Sequence, residues 1–334
     1  MKSFPTITSS RRAARLLCPL VLAAATTLTP LQATAQPTAA DIASATYDGG
    51  ALPEDRSALT ARVQILLDRH GVSPGVVDGI DGENVAKALR AFETMTGFPV
   101  DGQIDPDVWA ALNMSGDALV VEYTVTQDDA ADIAPPHPDD YAELATLDWL
   151  GYTSVAEKLA ERFHMDVDFL RALNPDADIE TPGTRLYVVD PGAPVTGTVS
   201  RIVADKSVQQ LYAYDEAGKL LVAYPVTIGS DELPSPAGVH EVVAIAVDPT
   251  YTYDPDVNFV QGDNRERLTI PPGPNGPVGS VWIDLSEPTY GIHGSPEPAT
   301  IDKTQSHGCV RLTNWDAGEL VEMVQPGVVV EFRE

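Results

Sequence analysis

Cysteine is almost missing from this chain. Its 334 residues include two, Cys18 and Cys309, and Cys18 lies in an N-terminal stretch that reads as a removable export signal. The single remaining thiol cannot form an internal disulfide, which excludes a disulfide-stapled fold. Such a thiol in an oxidising compartment is either a small buried hydrophobe or a reactive group. Positive charge is scarce as well. With 21 Lys+Arg against 49 Asp+Glu the formal net charge is −28, a field that repels nucleic-acid phosphates and anionic lipid head groups, so a nucleic-acid binder is excluded. The apolar stretch from Leu16 to Leu28 falls short of the ~20 residues a helix needs to cross a bilayer, and no later stretch is longer, so no membrane span is expected. There is no His-Glu-x-x-His and no ligand spacing among the scattered histidines, so neither a metal nor a cofactor is called for.

What is present suits a multidomain globular protein: 43% hydrophobic and 21% charged residues, and a length of two or three ordinary domains. Arg11, Arg12 and Arg15 precede the apolar stretch, and Ala33-Thr34-Ala35 supplies a small-x-small cleavage pattern, so residues 1–35 read as a signal peptide directing export to the periplasm or cell envelope. Ser10-Arg11-Arg12 is followed by Ala13-Ala14 rather than a bulky apolar residue, which favours Sec over twin-arginine export. Cys18 opens the apolar run instead of following it, against a lipoprotein anchor. Residues 36–53, rich in Ala, Thr, Gly and Pro without periodicity, are expected to be a flexible leader.

Residues 54–114 carry three helix signals. Leu59, Val63 and Leu67 share one helical face, as do Val85, Leu89 and Phe92, and Asp105-Pro106 is a cap and first-turn pair opening a helix through Val108, Trp109 and Leu112. Val77-Asp78-Gly79 before the second helix is repeated as Val100-Asp101-Gly102 before the third. Asp78, Asp81 and Glu83 lack EF-hand spacing, so turn and cap chemistry is expected of them rather than calcium binding. In residues 115–197, Val121 to Thr126 alternates like a strand and Ala130 to Pro138 reads as an acidic, proline-rich loop. Ser154-Val155-Ala156-Glu157 is a capping box, Leu170 and Asn174 follow, and Thr181-Pro182-Gly183 turns into a last strand. From residue 198 to 334 the pattern is mainly β: Arg201 to Ala204, Gln209 to Tyr214, Leu220 to Ile228 and Val239 to Val247. One late helix is expected from Trp315 to Val324, on an antiparallel sandwich or barrel-like sheet.

The chemistry concentrates in Ser306-His307-Gly308-Cys309-Val310-Arg311-Leu312, preceded by His293-Gly294. A histidine, a spacer and then Ser/Thr-His-Gly-Cys resembles the signature of the YkuD-type L,D-transpeptidase catalytic domain. The resemblance extends to the Ser235-Pro236-Ala237-Gly238 turn and the Pro271 to Pro277 loop before Trp282. The repeated Val-Asp-Gly turns with Arg90-Ala91-Phe92 resemble an all-α three-helix peptidoglycan-binding domain. Residues 115–197 resemble a small α+β LysM glycan-binding module carrying an inserted loop of about 25 residues between strand and first helix.

These resemblances imply an exported enzyme acting on peptidoglycan stem peptides, with glycan strands as a second partner. Cys309 would attack the carbonyl on the L-centre of the third stem residue, expel the terminal D-alanine, and form a thioester that a neighbouring side-chain amine resolves as a 3→3 cross-link. Resolution by water or by an envelope lipoprotein's lysine uses the same site, and a non-catalytic wall binder is a further class. A thiol with an ordinary pKa of ~8.5 needs a base or a nearby positive charge. His293 is the expected proton acceptor and Gly294 would orient its ring through the backbone carbonyl. The amides of Gly308 and Cys309 could line an oxyanion hole. His307 either supports the loop and substrate or handles protons directly, and Ser306 would order the loop. Arg311 suits a substrate carboxylate, Asn314, Ser306 and Gly294 are further substrate-binding candidates, and His240 is expected to be structural.

Overall fold

The computed structural model describes residues 1–4, 6, 36–114, 116–257 and 259–334, so the expected signal peptide lies almost wholly outside the described residues. Helices form where caps and apolar spacing coincide. Residues 36–53 are not the loose leader expected, since α1 (Ala39–Ser44) starts with a reciprocal capping box between Thr38 and Asp41. Ile42, fully buried, then joins the core of the following helices, and the Arg62 guanidinium donates to the Ile42 and Ala43 carbonyls. One local capping box, one distant guanidinium and one apolar anchor order a segment of low propensity.

Ser57 caps α2 (Ala58–Arg69), a left-handed Gly97 (φ 79°) ends α3 (Glu83–Thr96), and Asp105 caps α4 (Pro106–Leu112). The two Val-Asp-Gly turns are held alike. Gln64 Oε1 accepts from the amides of Asp78 and Gly79, and Glu93 Oε2 accepts from those of Asp101 and Gly102. Asp78 and Asp101 each accept from the amide two residues on, which is turn chemistry.

Next come β1 (Val120–Thr124), α5 (Tyr141–Leu144), α6 (Val155–Arg162), α7 (Val167–Leu173) and β2 (Arg185–Val189), with β1 antiparallel to β2. The capping box at Ser154 is only half formed. Ser154 accepts from the Glu157 amide, but the Glu157 carboxylate turns back to the amide and hydroxyl of Thr153. Leu66, Phe92, Leu159, Met165, Phe169 and Val188 belong to one continuous core. Residue 114 therefore divides the sequence but not the packing, since segments this small bury little apolar surface alone.

The C-terminal half comprises β3 (Arg201–Asp205), β4 (Gln210–Tyr214), β5 (Leu220–Pro225), β6 (Gly238–Val247), β7 (Tyr251–Tyr253), β8 (Leu268–Ile270), β9 (Val281–Leu285), β10 (Gly291–His293), β11 (Val310–Arg311), α8 (Asn314–Met323) and β12 (Val329–Arg333). Eight of these strands form one sheet in the order β11-β10-β9-β6-β12-β3-β4-β5. It is not purely antiparallel as expected. β12 runs parallel to β3 and β11 parallel to β10, because each is reached by a long crossover rather than a hairpin. α8 covers the sheet with Ala317, Leu320 and Met323, all buried. Against the helical half the sheet domain makes a buried ion pair, Lys87 to Asp302 at 2.7 Å.

Candidate functional site

The parallel pairing of β10 with β11 sets His293 opposite Arg311. This brings together two motifs that are separate in sequence, and one cavity of about 360 Å³ is lined by His293, Cys309, His307, Ser306 and Arg311, with Trp282 on its wall. His293 is buried and its Nδ1 lies 2.7 Å from the Gly294 carbonyl oxygen. A carbonyl only accepts, so Nδ1 carries the proton and Nε2 is the basic nitrogen. The ring stacks on Trp282 with centroids 5.5 Å apart. Burial, with help from the Arg311 charge, lowers the His293 pKa to about 4 against the opposing pull of the Gly294 and Val278 carbonyls. At neutral pH this imidazole is uncharged.

Cys309 keeps part of its surface at the cavity, and its sulfur lies 3.8 Å from the Thr289 carbonyl oxygen. Burial pushes the thiol up, while the Gly291 backbone and Arg311 pull it partly back and Asp284 raises it further. A raised thiol and a neutral histidine lining one cavity suit general-base chemistry rather than a preformed thiolate–imidazolium pair.

Ser306 orders the loop as expected: its hydroxyl donates to the Cys309 carbonyl at 2.6 Å and accepts from the Gly308 amide at 3.1 Å. That second bond corrects the expectation for Gly308, whose amide is already engaged instead of pointing free as an oxyanion donor. Glycine is required there for shape: φ is +117° and an added Cβ would sit 2.7 Å from the Tyr290 ring. His307 is exposed and lies flat on Phe259, ring centroids 3.8 Å apart at 7°, and burial with Arg311 lowers its pKa. Arg311, partly buried, forms no ion pair with any described carboxylate and lowers the pKa of both histidines and the thiol.

Two substrate-binding assignments are corrected. Gly294 is buried behind His293 and acts through that ring. Asn314 is buried too: its Nδ2 donates to both Glu161 oxygens and to the Pro274 carbonyl, and its Oδ1 accepts from the Ser280 amide. A side chain so fully bonded has nothing left for a substrate. Its Oδ1 also sits where a Cβ on Gly294 or Gly279 would fall, so Asn314 backs the histidine's loop. His240 is structural, bonded to the Ala237 carbonyl and edge-on to Phe332.

Sequence reasoning missed the aromatic lining. Tyr141, Tyr251, Phe259 and Tyr290 all face the cavity. Aromatics make up 7% of the chain, and their density in the otherwise polar stretch 251–259 was an available signal. It also missed Glu161, whose carboxyl burial raises to about 7 against hydrogen bonds from Tyr152 and Asn314.

Comparison with known proteins supplies the family. Residues 199–331 match the L,D-transpeptidase catalytic domain of the YkuD family, and residues 56–112 match a putative peptidoglycan binding domain. A putative L,D-transpeptidase YkuD of Bacillus licheniformis is 29% identical over 177 residues, 53% of this chain and 92% of that protein. Its Bacillus subtilis counterpart is 27% identical over 172 residues, 52% and 89%. A putative L,D-transpeptidase of Fuscovulum blasticum is 30% identical over 130 residues, 39% of this chain and 67% of that protein. The chain belongs to the YkuD-type L,D-transpeptidase family. Its two matched domains imply peptidoglycan as the substrate.

Proposed function

We propose that this chain is an exported L,D-transpeptidase in which Cys309 is the nucleophile and tetrapeptide stems of peptidoglycan are the acyl donors. The observation that carries the reading is the neutral His293, its tautomer fixed by Gly294, sharing one cavity with Cys309 and with an Arg311 that no described carboxylate neutralises. Nε2 of His293 takes the thiol proton as sulfur attacks the carbonyl carbon of the third stem residue. The proton then passes to the nitrogen of the departing D-alanine, leaving a thioester on Cys309. An uncharged base is suited to both transfers, accepting first and donating second. Arg311, which lines the same cavity, grips a stem carboxylate in bidentate fashion. A side-chain amine of a second stem attacks the thioester and frees the thiol as a 3→3 cross-link forms. The helical domain holds the enzyme on the wall and raises its effective concentration there.

The test is mass spectrometry of products from purified disaccharide-tetrapeptide incubated with the full-length protein. A dimer lacking one D-alanine is expected, with no product from Cys309→Ala. Accumulation of tripeptide monomer alone makes water the acceptor, and unchanged substrate with retained binding to murein sacculi reduces the chain to a wall binder.

A further inference from the structure

One residue of the thiol cavity does not come from the catalytic domain. Tyr141 opens α5 inside the insertion of the second segment, yet it shares the cavity lining with Cys309 and His293. Its ring meets Tyr253, Tyr251 and Phe259 edge-on, with centroids 5.3, 6.1 and 6.1 Å apart. Phe259 is the ring on which His307 lies. Polar ties reinforce the contact. Gln261 Oε1 accepts from the Tyr141 amide and its Nε2 donates to the Asp139 carbonyl. Asn264 Nδ2 donates to Asp140 Oδ2. Leu150 donates its amide to the Pro272 carbonyl and accepts from the Asn275 amide. Leu144, Leu150, Tyr253 and Ile270 are buried together in a small core shared by the insertion and a flap at residues 251–270.

The flap itself, residues 251–270, pairs β7 with β8 over three residues a side and lies outside the eight-stranded sheet. A hairpin that short has little stability of its own, so what it packs against decides where it sits. Tyr141 also stands between two spaces. With Pro277 and Arg311 it lines both the thiol cavity and a second cavity of about 540 Å³, which Pro136, His137 and Asp139 of the insertion also line.

We propose that the insertion at 126–152 is a specificity element of the catalytic cleft, with Tyr141 the positioning residue that fixes the 251–270 flap beside Cys309 and partitions the cleft at Arg311. The inference rests on the proposed acylation of Cys309. A stem peptide long enough to lie along the flap depends on Tyr141, whereas a reagent small enough to reach the sulfur alone does not. The ring rather than the hydroxyl carries the effect, because the hydroxyl makes no hydrogen bond to any described residue while the ring makes three aromatic contacts.

The experiment compares full-length wild type with Tyr141→Ala, Tyr141→Phe and Asp140→Ala by three readouts. These are trypsin cleavage after the exposed Arg265 and Arg267, acyl-enzyme formation with disaccharide-tetrapeptide, and alkylation of Cys309 by iodoacetamide. In Tyr141→Ala, flap cleavage should accelerate and tetrapeptide acylation should fall, each by about tenfold to a hundredfold, as expected when an opening equilibrium loses a large aromatic contact. Alkylation by iodoacetamide should not slow. Tyr141→Phe should match wild type within about twofold in all three, since the ring contacts are kept. Asp140→Ala removes the Asn264 tie and the α5 cap without emptying a core, so it reads the same clamp if Tyr141→Ala fails to fold. It should give the same pattern at a few-fold amplitude. Unchanged flap cleavage and unchanged tetrapeptide acylation in both alanine variants overturn the proposal, as does a Tyr141→Phe variant as impaired as Tyr141→Ala. If wild type forms no acyl-enzyme the proposed function fails, while the trypsin comparison still decides whether the insertion clamps the flap.

Discussion

The two walls of the catalytic cleft are built from different materials. The inner wall is His293 on Trp282, backed by Gly294 and by an Asn314 whose side-chain oxygen and nitrogen are both bonded, and near it on α8 lies a buried polar junction. There Ser73 donates to Asp316 at 3.1 Å, His164 pairs with Asp68 at 2.8 Å and stacks on Trp315, and Tyr224 donates to Glu319. The outer wall is the flap and the insertion: aromatic edges, one stacked exposed histidine and a thin core. Hydrogen bonds in a buried network have one good geometry, and each is costly to leave unmade. Aromatic contacts near the surface tolerate small displacements. The inner wall therefore holds the His293 ring in one orientation, and the outer wall is the more adaptable of the two.

The strongest way to break this comparison is to exchange the loss of one histidine for the other. His293→Ala should lower acylation about 100- to 10,000-fold, the range for a lost general base. Raising the pH should return part of that loss by supplying thiolate directly. His307→Ala, on the outer wall, should cost less and gain no recovery in alkali, because it loses a stacking contact and no proton acceptor. Acylation rate against pH for both variants, with circular dichroism as the folding control, decides it. Recovery by alkali in His307→Ala instead would move the base to the outer wall.

A smaller effect concerns stability. Burial and the neighbouring Asp68 charge raise the Asp316 carboxyl to about 8, against hydrogen bonds from Thr313 and Ser73 and the opposing influence of His164. The folded chain thus holds a proton on Asp316 that the unfolded chain releases near its ordinary pKa of 3.8. That contribution is complete below pH ~4 and is lost as the pH climbs toward 8. Glu161, raised to about 7, acts in the same direction. So does His164, whose pKa burial would lower but which Asp68 raises overall. Asp316→Asn should be more stable than wild type at pH 8 by on the order of 1–3 kcal/mol, with the gap closing toward pH 4. Thermal melting against pH is the measurement, and a gap that widens in acid would contradict the buried protonated carboxyl.

The mildest test leaves the sequence intact. With a neutral His293 and a raised thiol, iodoacetamide alkylation of the free enzyme should keep rising with pH beyond the ordinary thiol range. A plateau already reached below pH 7 would reveal a preformed ion pair and make the inner wall charged rather than neutral.

Much of this molecule was legible in order along the chain because its signals are local. Asp105 and Ser154 mark helix starts by hydrogen bonds within three residues. The Val-Asp-Gly repeats announce equivalent turns, and Ser306-His307-Gly308-Cys309 with His293-Gly294 announces the thiol and histidines that share one cavity and the carbonyl that orients the His293 ring. Where the reading went wrong, the deciding partner was distant in sequence. Residues 36–53 looked loose because the core that receives Ile42 is supplied by later helices. Gly308 looked like an oxyanion donor until the loop folded Ser306 onto its amide. Asn314 looked available until Glu161, from another segment, filled its valences.

By itself the sequence determined the caps, the repeated turns and the residues that carry the chemistry, since these depend on covalent neighbours and side-chain type. Only the tertiary structure decided that β11 runs parallel to β10, setting Arg311 opposite His293, and that the insertion of the second segment supports the flap beside Cys309. Strand register and interdomain packing are chosen by which apolar faces can be buried together. That choice is made by surfaces far apart in the chain.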